Sequence, residues 1–169
     1  MRKLPVKDLT AFAMMGALMF VSTLLMKALP NIHLLAVFII SFTRVYRARA
    51  LIPIYIYVLL EGVWQGFSPW WVPYLYIWTV LWAVVMLLPR QMPLWLEAPL
   101  YCVLGAVHGL SFGTLWAPMQ ALLFGLSFQG TVAWVIAGLP FDAAHAISNA
   151  TACLLCVPLI KALRRISRQ

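Results

Sequence analysis

Acidic residues are nearly missing from this sequence, in which four Asp and Glu stand against twelve Lys and Arg in 169 residues. Charged residues of both signs make up only 9% of the chain. So little charge cannot cover a water-exposed surface, which excludes an ordinary soluble domain. Cysteine is scarce too. Cys102, Cys153 and Cys156 lie within apolar stretches and imply no disulfide framework. Cys153-x-x-Cys156 has redox spacing, but in a membrane helix it reads as two small apolar residues. Also missing are an ATP-binding loop, a nucleophile elbow, a His-Glu-x-x-His run and any cluster of metal ligands. No cofactor or metal site is expected in the chain, and energised transport would need partner subunits.

What is present is apolar sequence, 64% of the chain, punctuated by basic clusters. Arg2, Lys3 and Lys7 open the chain, Arg44, Arg47 and Arg49 follow, Arg90 stands alone, and Lys161, Arg164, Arg165 and Arg168 close it. Lys and Arg accumulate in cytoplasmic loops between membrane spans. With two spans in each gap, the reading is an all-α integral membrane protein with six transmembrane helices and cytoplasmic N- and C-termini. Only Lys27 falls on the other side, where it can snorkel from a helix end. The net charge of +8 then sets topology and meets anionic lipid, and need not imply nucleic acid. The first span is expected to be retained, because Met26-Lys27-Ala28 offers no cleavage site and more spans follow.

A span needs about 20 apolar residues. The expected spans run from about Leu9 to Ala28, His33 to Thr43, Leu51 to Gln65, Val72 to Leu88, and Pro93 to Trp116. A sixth opens at Gly138-Leu139-Pro140, with proline in its first turn, and ends at the Lys161 cluster. The stretch from Ala117 to Gly138 is too apolar for a solvated loop and is expected to pack as a lid or short helix. No internal repeat stands out, so residues 1–169 form a single membrane domain.

Ionisable residues within spans usually face a cavity or a partner. The candidates are Glu61, Glu97, His108, Asp142 and His145. Asp142, His145 and Asn149 share one helical face at i, i+3, i+7. That face either binds a polar solute from outside or forms an interhelical hydrogen-bond network, with Asp142 acting on a helix N-terminus. Tyr57, Glu61 and Trp64 share a second face. Tyr74, Trp78 and Trp82 form an aromatic stripe below Trp70 and Trp71, suited either to helix packing or to stacking a flat heterocycle. Trp70 and Trp71 also suit anchoring at the headgroup boundary. Gly105, Gly109 and Gly113 allow a close helix approach, and Ala13, Gly16 and Ala17 make a smooth strip on the first span.

The chain resembles the substrate-capturing S components of energy-coupling factor (ECF) vitamin transporters. The resemblance spans nearly the whole length and rests on four runs. These are Leu29-Pro30-Asn31-Ile32, Tyr57 to Gly62, Trp70 to Trp78, and Gly138-Leu139-Pro140-Phe141-Asp142 with His145 and Asn149. It implies a non-enzymatic, six-helix binding protein of a prokaryotic cytoplasmic membrane. Such a protein captures a water-soluble vitamin or heterocyclic precursor outside, in a cavity formed mainly by spans 4 to 6 and the outer loops. It then docks on a transmembrane coupling subunit with two ATPases and topples to release its load inside. The implied site comprises Asp142, His145, Asn149, Trp78, Tyr74, Glu61, Trp71 and His108. Ala13, Gly16 and Ala17 are implied to touch the coupling subunit. Metal-transporting members carry His after the first Met, where this chain has Arg2, so an organic cargo is expected. The turn between spans 1 and 2 is brief compared with the gating loop of several members. The Ala117–Thr131 stretch is therefore expected to close the site instead. Two other classes remain open: a proton-coupled secondary carrier relaying through Glu61, Asp142 and His145, and an intramembrane enzyme using Asp142 and His145 as an acid–base pair.

Overall fold

A computed structural model describes residues 5–29 and 32–167. Arg2, Lys3 and Arg168 of the basic clusters lie outside these residues, as do Pro30 and Asn31 of the Leu29–Ile32 run. Every described element is helical: α1 (Val6–Leu25), α2 (Leu35–Tyr46), α3 (Leu51–Gln65), α4 (Tyr74–Leu87), α5 (Leu94–Leu110), α6 (Phe112–Phe124), α7 (Phe128–Ala152) and α8 (Cys156–Ile166). Short 3-10 turns precede α3, α4 and α8. Four helical stretches are long and apolar enough to cross a membrane: Val6–Leu25, Pro69–Leu87, Leu94–Phe124 and Phe128–Ile166. Their outer faces expose Met14, Leu18, Leu87, Trp95, Val107 and Ile147 among many other apolar side chains. A surface of this kind suits hydrocarbon and would associate in water.

α2 is different. Its 12 residues rise only about 18 Å, well short of the roughly 30 Å hydrocarbon core. Leu35 through Arg44 are all buried, so α2 runs down the middle of the bundle without facing lipid. An internal helix has no need to match the bilayer. Because α2 starts late, the space beyond its N-terminus is left to a cavity whose walls include His33 and Leu35.

The basic residues gather where α2 ends. The Arg44 guanidinium donates to the carbonyls of Pro89 (2.7 Å) and Arg90 (3.2 Å) and lies 3.9 Å from Glu97. Arg47 donates to the Met86 carbonyl at 2.7 Å, and its own carbonyl accepts from the Trp82 indole at 3.2 Å. These two contacts hold Arg47 at φ 55°, a left-handed backbone that side-chain-bearing residues rarely adopt. Arg49 pairs with Asp8 at 3.3 Å, which brings the start of α1 to the same end.

The expected break between spans 5 and 6 is corrected. α5 and α6 meet at a kink at Ser111 and continue through Pro118 to Phe124. The turn is Gly125-Leu126-Ser127. Gly125 adopts φ 62°, the left-handed helix stop that favours glycine, and the Ser127 hydroxyl caps α7 by accepting from the Gly130 N–H at 3.1 Å. The helix expected to open at Gly138 therefore begins ten residues earlier, at Phe128, and Pro140 sits inside α7. Prolines 118 and 140 each remove one helical N–H, a loss that packed membrane helices absorb.

Gly105, Gly109 and Gly113 bring α5 and the start of α6 against α7. A Cβ on Gly109 would stand 2.8 Å from Ala146 N and His145 C, and one on Gly105 would stand 2.7 Å from Cys153 Sγ. In lipid, such packing replaces the hydrophobic effect as the force between helices.

Candidate functional site

A cavity of about 690 Å³ opens at the end of the bundle opposite Arg44 and Arg49. α4 supplies Tyr74 and Trp78 to its wall, α3 supplies Tyr57 and Glu61, and α7 supplies Asp142 and His145. Trp78 is the centre of the aromatic lining. Its ring lies 6.0 Å from Tyr74, 6.2 Å from Tyr57, 5.9 Å from His33 and 5.8 Å from Phe112. Tyr74 and Trp78 are one helical turn apart, as are Tyr57 and Glu61, so each pair presents one face. Volume and lining are those of a small-molecule pocket, mostly apolar with a few convergent polar groups.

Asp142 lines the cavity and also caps α6. Both carboxylate oxygens accept from the Gly113 N–H, at 3.0 and 3.1 Å. This donor is free because the chain kinks at Ser111 and α6 begins anew, leaving first-turn N–H groups without helical partners. A Cβ at 113 would meet Asp142 Oδ2 at 2.5 Å, so a larger residue there would push the carboxylate out of its cap. His145, one turn further along α7, packs 4.9 Å from Phe112 and 5.2 Å from His33. No hydrogen bond joins Asp142 and His145 among the described residues. Glu61 is 2% exposed. Its Oε2 accepts from the Gln65 amide, and its Oε1 has no partner among the described residues.

Three of the expected site residues stand outside this cavity. Asn149 shares the helical face of Asp142 and His145, but α7 turns that part of the face onto α5. Its amide donates to the Gly105 carbonyl at 3.3 Å, a contact that the missing Cβ at 105 makes room for. His108 lies behind Trp78, its Nε2 donating to the Ile77 carbonyl at 3.1 Å. Trp71 donates to the Val58 carbonyl at 2.7 Å and borders a smaller adjoining recess of about 290 Å³. In the strip on α1, Ala13 and Ala17 are exposed, whereas Gly16 is buried. Gly16 faces α3, where a Cβ would meet Ile56 at 2.5 Å.

Ala117–Thr131 forms the tip of the α6–α7 hairpin, and none of its residues lines the cavity. The brief turn after α1 contributes Leu29, Ile32 and His33. Residues not singled out beforehand also enter the wall: His33, Phe112, Trp116, Gln65 and Trp134. Phe112 and Trp116 carried a legible signal, an i, i+4 aromatic pair in line with Trp78. His33 carried none, being a lone histidine in a turn.

Among the described residues no group of three or more His, Cys, Asp or Glu is placed to hold a metal ion. Compared with protein-family models, curated proteins and solved structures, the chain matches none.

Proposed function

We propose that the chain is a substrate-capturing S component of an ECF-type vitamin transporter. In this reading it crosses a prokaryotic cytoplasmic membrane six times, with both ends inside. α2 and α3 form the second and third crossings, and the α6–α7 hairpin extends two crossings outward. The protein performs no chemistry. It takes a water-soluble vitamin or heterocyclic precursor from outside and passes it inward by docking on a coupling subunit driven by two ATPases. The observation that carries the proposal is the polarity of the bundle. A roomy aromatic cavity occupies one end, and Arg44, Arg47, Arg49 and Arg90 occupy the other, the arrangement that a positive-inside orientation calls for. Exposed Ala13 and Ala17 leave a smooth lipid-facing strip on which a second membrane helix can pack.

The test is affinity purification of the tagged chain from membranes of its native host in mild detergent. The expected result is co-purification of one further membrane subunit together with ATPases. A chain that arrives alone, and that drives proton-dependent uptake by itself in liposomes, would instead be a secondary carrier. The purified solitary chain is also expected to bind its cargo at submicromolar Kd, about 8 kcal/mol or more, read through the fluorescence of its eight Trp.

A further inference from the structure

The cavity that the proposed function assigns to cargo has an electrical character opposite to that of the chain. The protein carries a net charge of +8, yet the cavity is lined by two carboxylates, Glu61 and Asp142, against one ammonium, Lys27. Asp142 is committed to the Gly113 N–H through both oxygens. Lys27 is exposed, and no ion pair forms between it and Glu61 within 4 Å. Glu61 is left over. Its Oε1 is buried and unpartnered among the described residues, in a wall shared with Tyr57, Tyr74 and Trp78.

A buried carboxylate without a countercharge is unfavourable, and the hydrogen bond from the Gln65 amide to Oε2 leaves Oε1 unsatisfied. A cation brought by the ligand would relieve that cost. The aromatic faces around Glu61 favour the same sign, because ring quadrupoles attract positive charge. Carboxylate and aromatic wall together make a cation-selective aromatic box. Resting on the capture reading above, we propose that the cargo is a flat nitrogen heterocycle carrying positive charge, with its cationic or N–H edge on Glu61 Oε1 and its ring against the partly exposed Tyr74 that covers Trp78.

The test uses the purified full-length chain and a pair of probes that differ only in charge, 1-methylnicotinamide (cationic) and nicotinamide (neutral), with thiamine as a larger cationic probe and biotin as an anionic one. Binding is read by tryptophan fluorescence and by thermal shift. The cationic member of the pair is expected to bind at least about tenfold more tightly than the neutral one, with biotin weaker than thiamine. Glu61→Gln is expected to erase the charge preference while melting at or above the wild-type temperature, because an isolated buried charge has been removed. Glu61→Asp, which keeps the charge on a shorter arm, is expected to retain part of the preference. Equal or better binding of the neutral or anionic probes overturns the proposal, as does a preference that survives Glu61→Gln, or no response to any probe. A Glu61→Gln variant that melts well below wild type assigns Glu61 a structural role and overturns it too. None of these outcomes touches the coupling reading, which stands or falls on the co-purified subunits.

Discussion

Asp142 on α7 caps α6 by accepting from the backbone N–H of Gly113 through both carboxylate oxygens, at 3.0 and 3.1 Å. One side chain thus fixes the kinked hairpin and borders the cavity. Asp142→Ala strands a buried donor and is expected to cost about 1–3 kcal/mol. Asp142→Asn keeps an oxygen acceptor and loses less, mainly the charge interaction with the helix N-terminus. Thermal unfolding of both variants in one detergent reads the order, and an alanine variant that melts like wild type would remove the cap from the account.

The glycine strip makes a sharper contrast. Gly109→Ala drives a methyl group to within 2.8 Å of the α7 backbone, which has no flexible end to move aside. Gly138, also in a helix, has nothing within 4 Å of the position a Cβ would take. Gly109→Ala is expected to lower the melting temperature by several degrees. Gly138→Ala is expected to hold or raise it, since alanine is the better helix former by about 0.5–1 kcal/mol. Matched melts of the two variants check the prediction.

At the basic end, Arg44 and Arg49 both pair with an acid but differ in setting. The Arg44 side chain is 1% exposed, and removing it leaves two carbonyls without their donor and buried Glu97 without its countercharge. The Arg49 side chain is 54% exposed. Arg44→Ala is expected to destabilise by about 3–5 kcal/mol, and Arg49→Ala by about 1 kcal/mol or less. Yield of monodisperse protein together with thermal melting separates them; similar losses would contradict the assignment of Arg44 as a buried tie between α2, α4 and α5.

The small residues of α1 split by face. Ala13→Trp and Ala17→Trp add bulk outside the bundle and are expected to abolish cellular uptake with ligand affinity within about twofold of wild type. Gly16→Trp places its ring against Ile56 and is expected to prevent folding. Uptake assays beside binding measurements on purified protein tell the cases apart. Loss of affinity in the two alanine variants would make their face part of the internal packing.

Local signals in the sequence determined a good deal: the helical character, the apolar surface, the basic clusters, the glycine strip, and Glu61, Tyr74 and Trp78 as a face and a stripe. Each depends on composition or on the 3.6-residue period, which a linear chain displays. Gly125-Leu126-Ser127 carries a glycine stop followed by a serine cap that the sequence reading passed over, because the prolines at 118 and 140 point to breaks that packing in the bundle overrides. Tertiary structure alone decided that α2 is internal, and a short internal helix is what leaves room for the cavity. It alone turned Asn149 onto Gly105, set His108 behind Trp78, brought His33 beside His145 and left Glu61 Oε1 without a partner. Those outcomes depend on the rotation of each helix about its own axis, which neighbours thirty or more residues away in sequence set by contact. No pattern within a single span encodes that rotation.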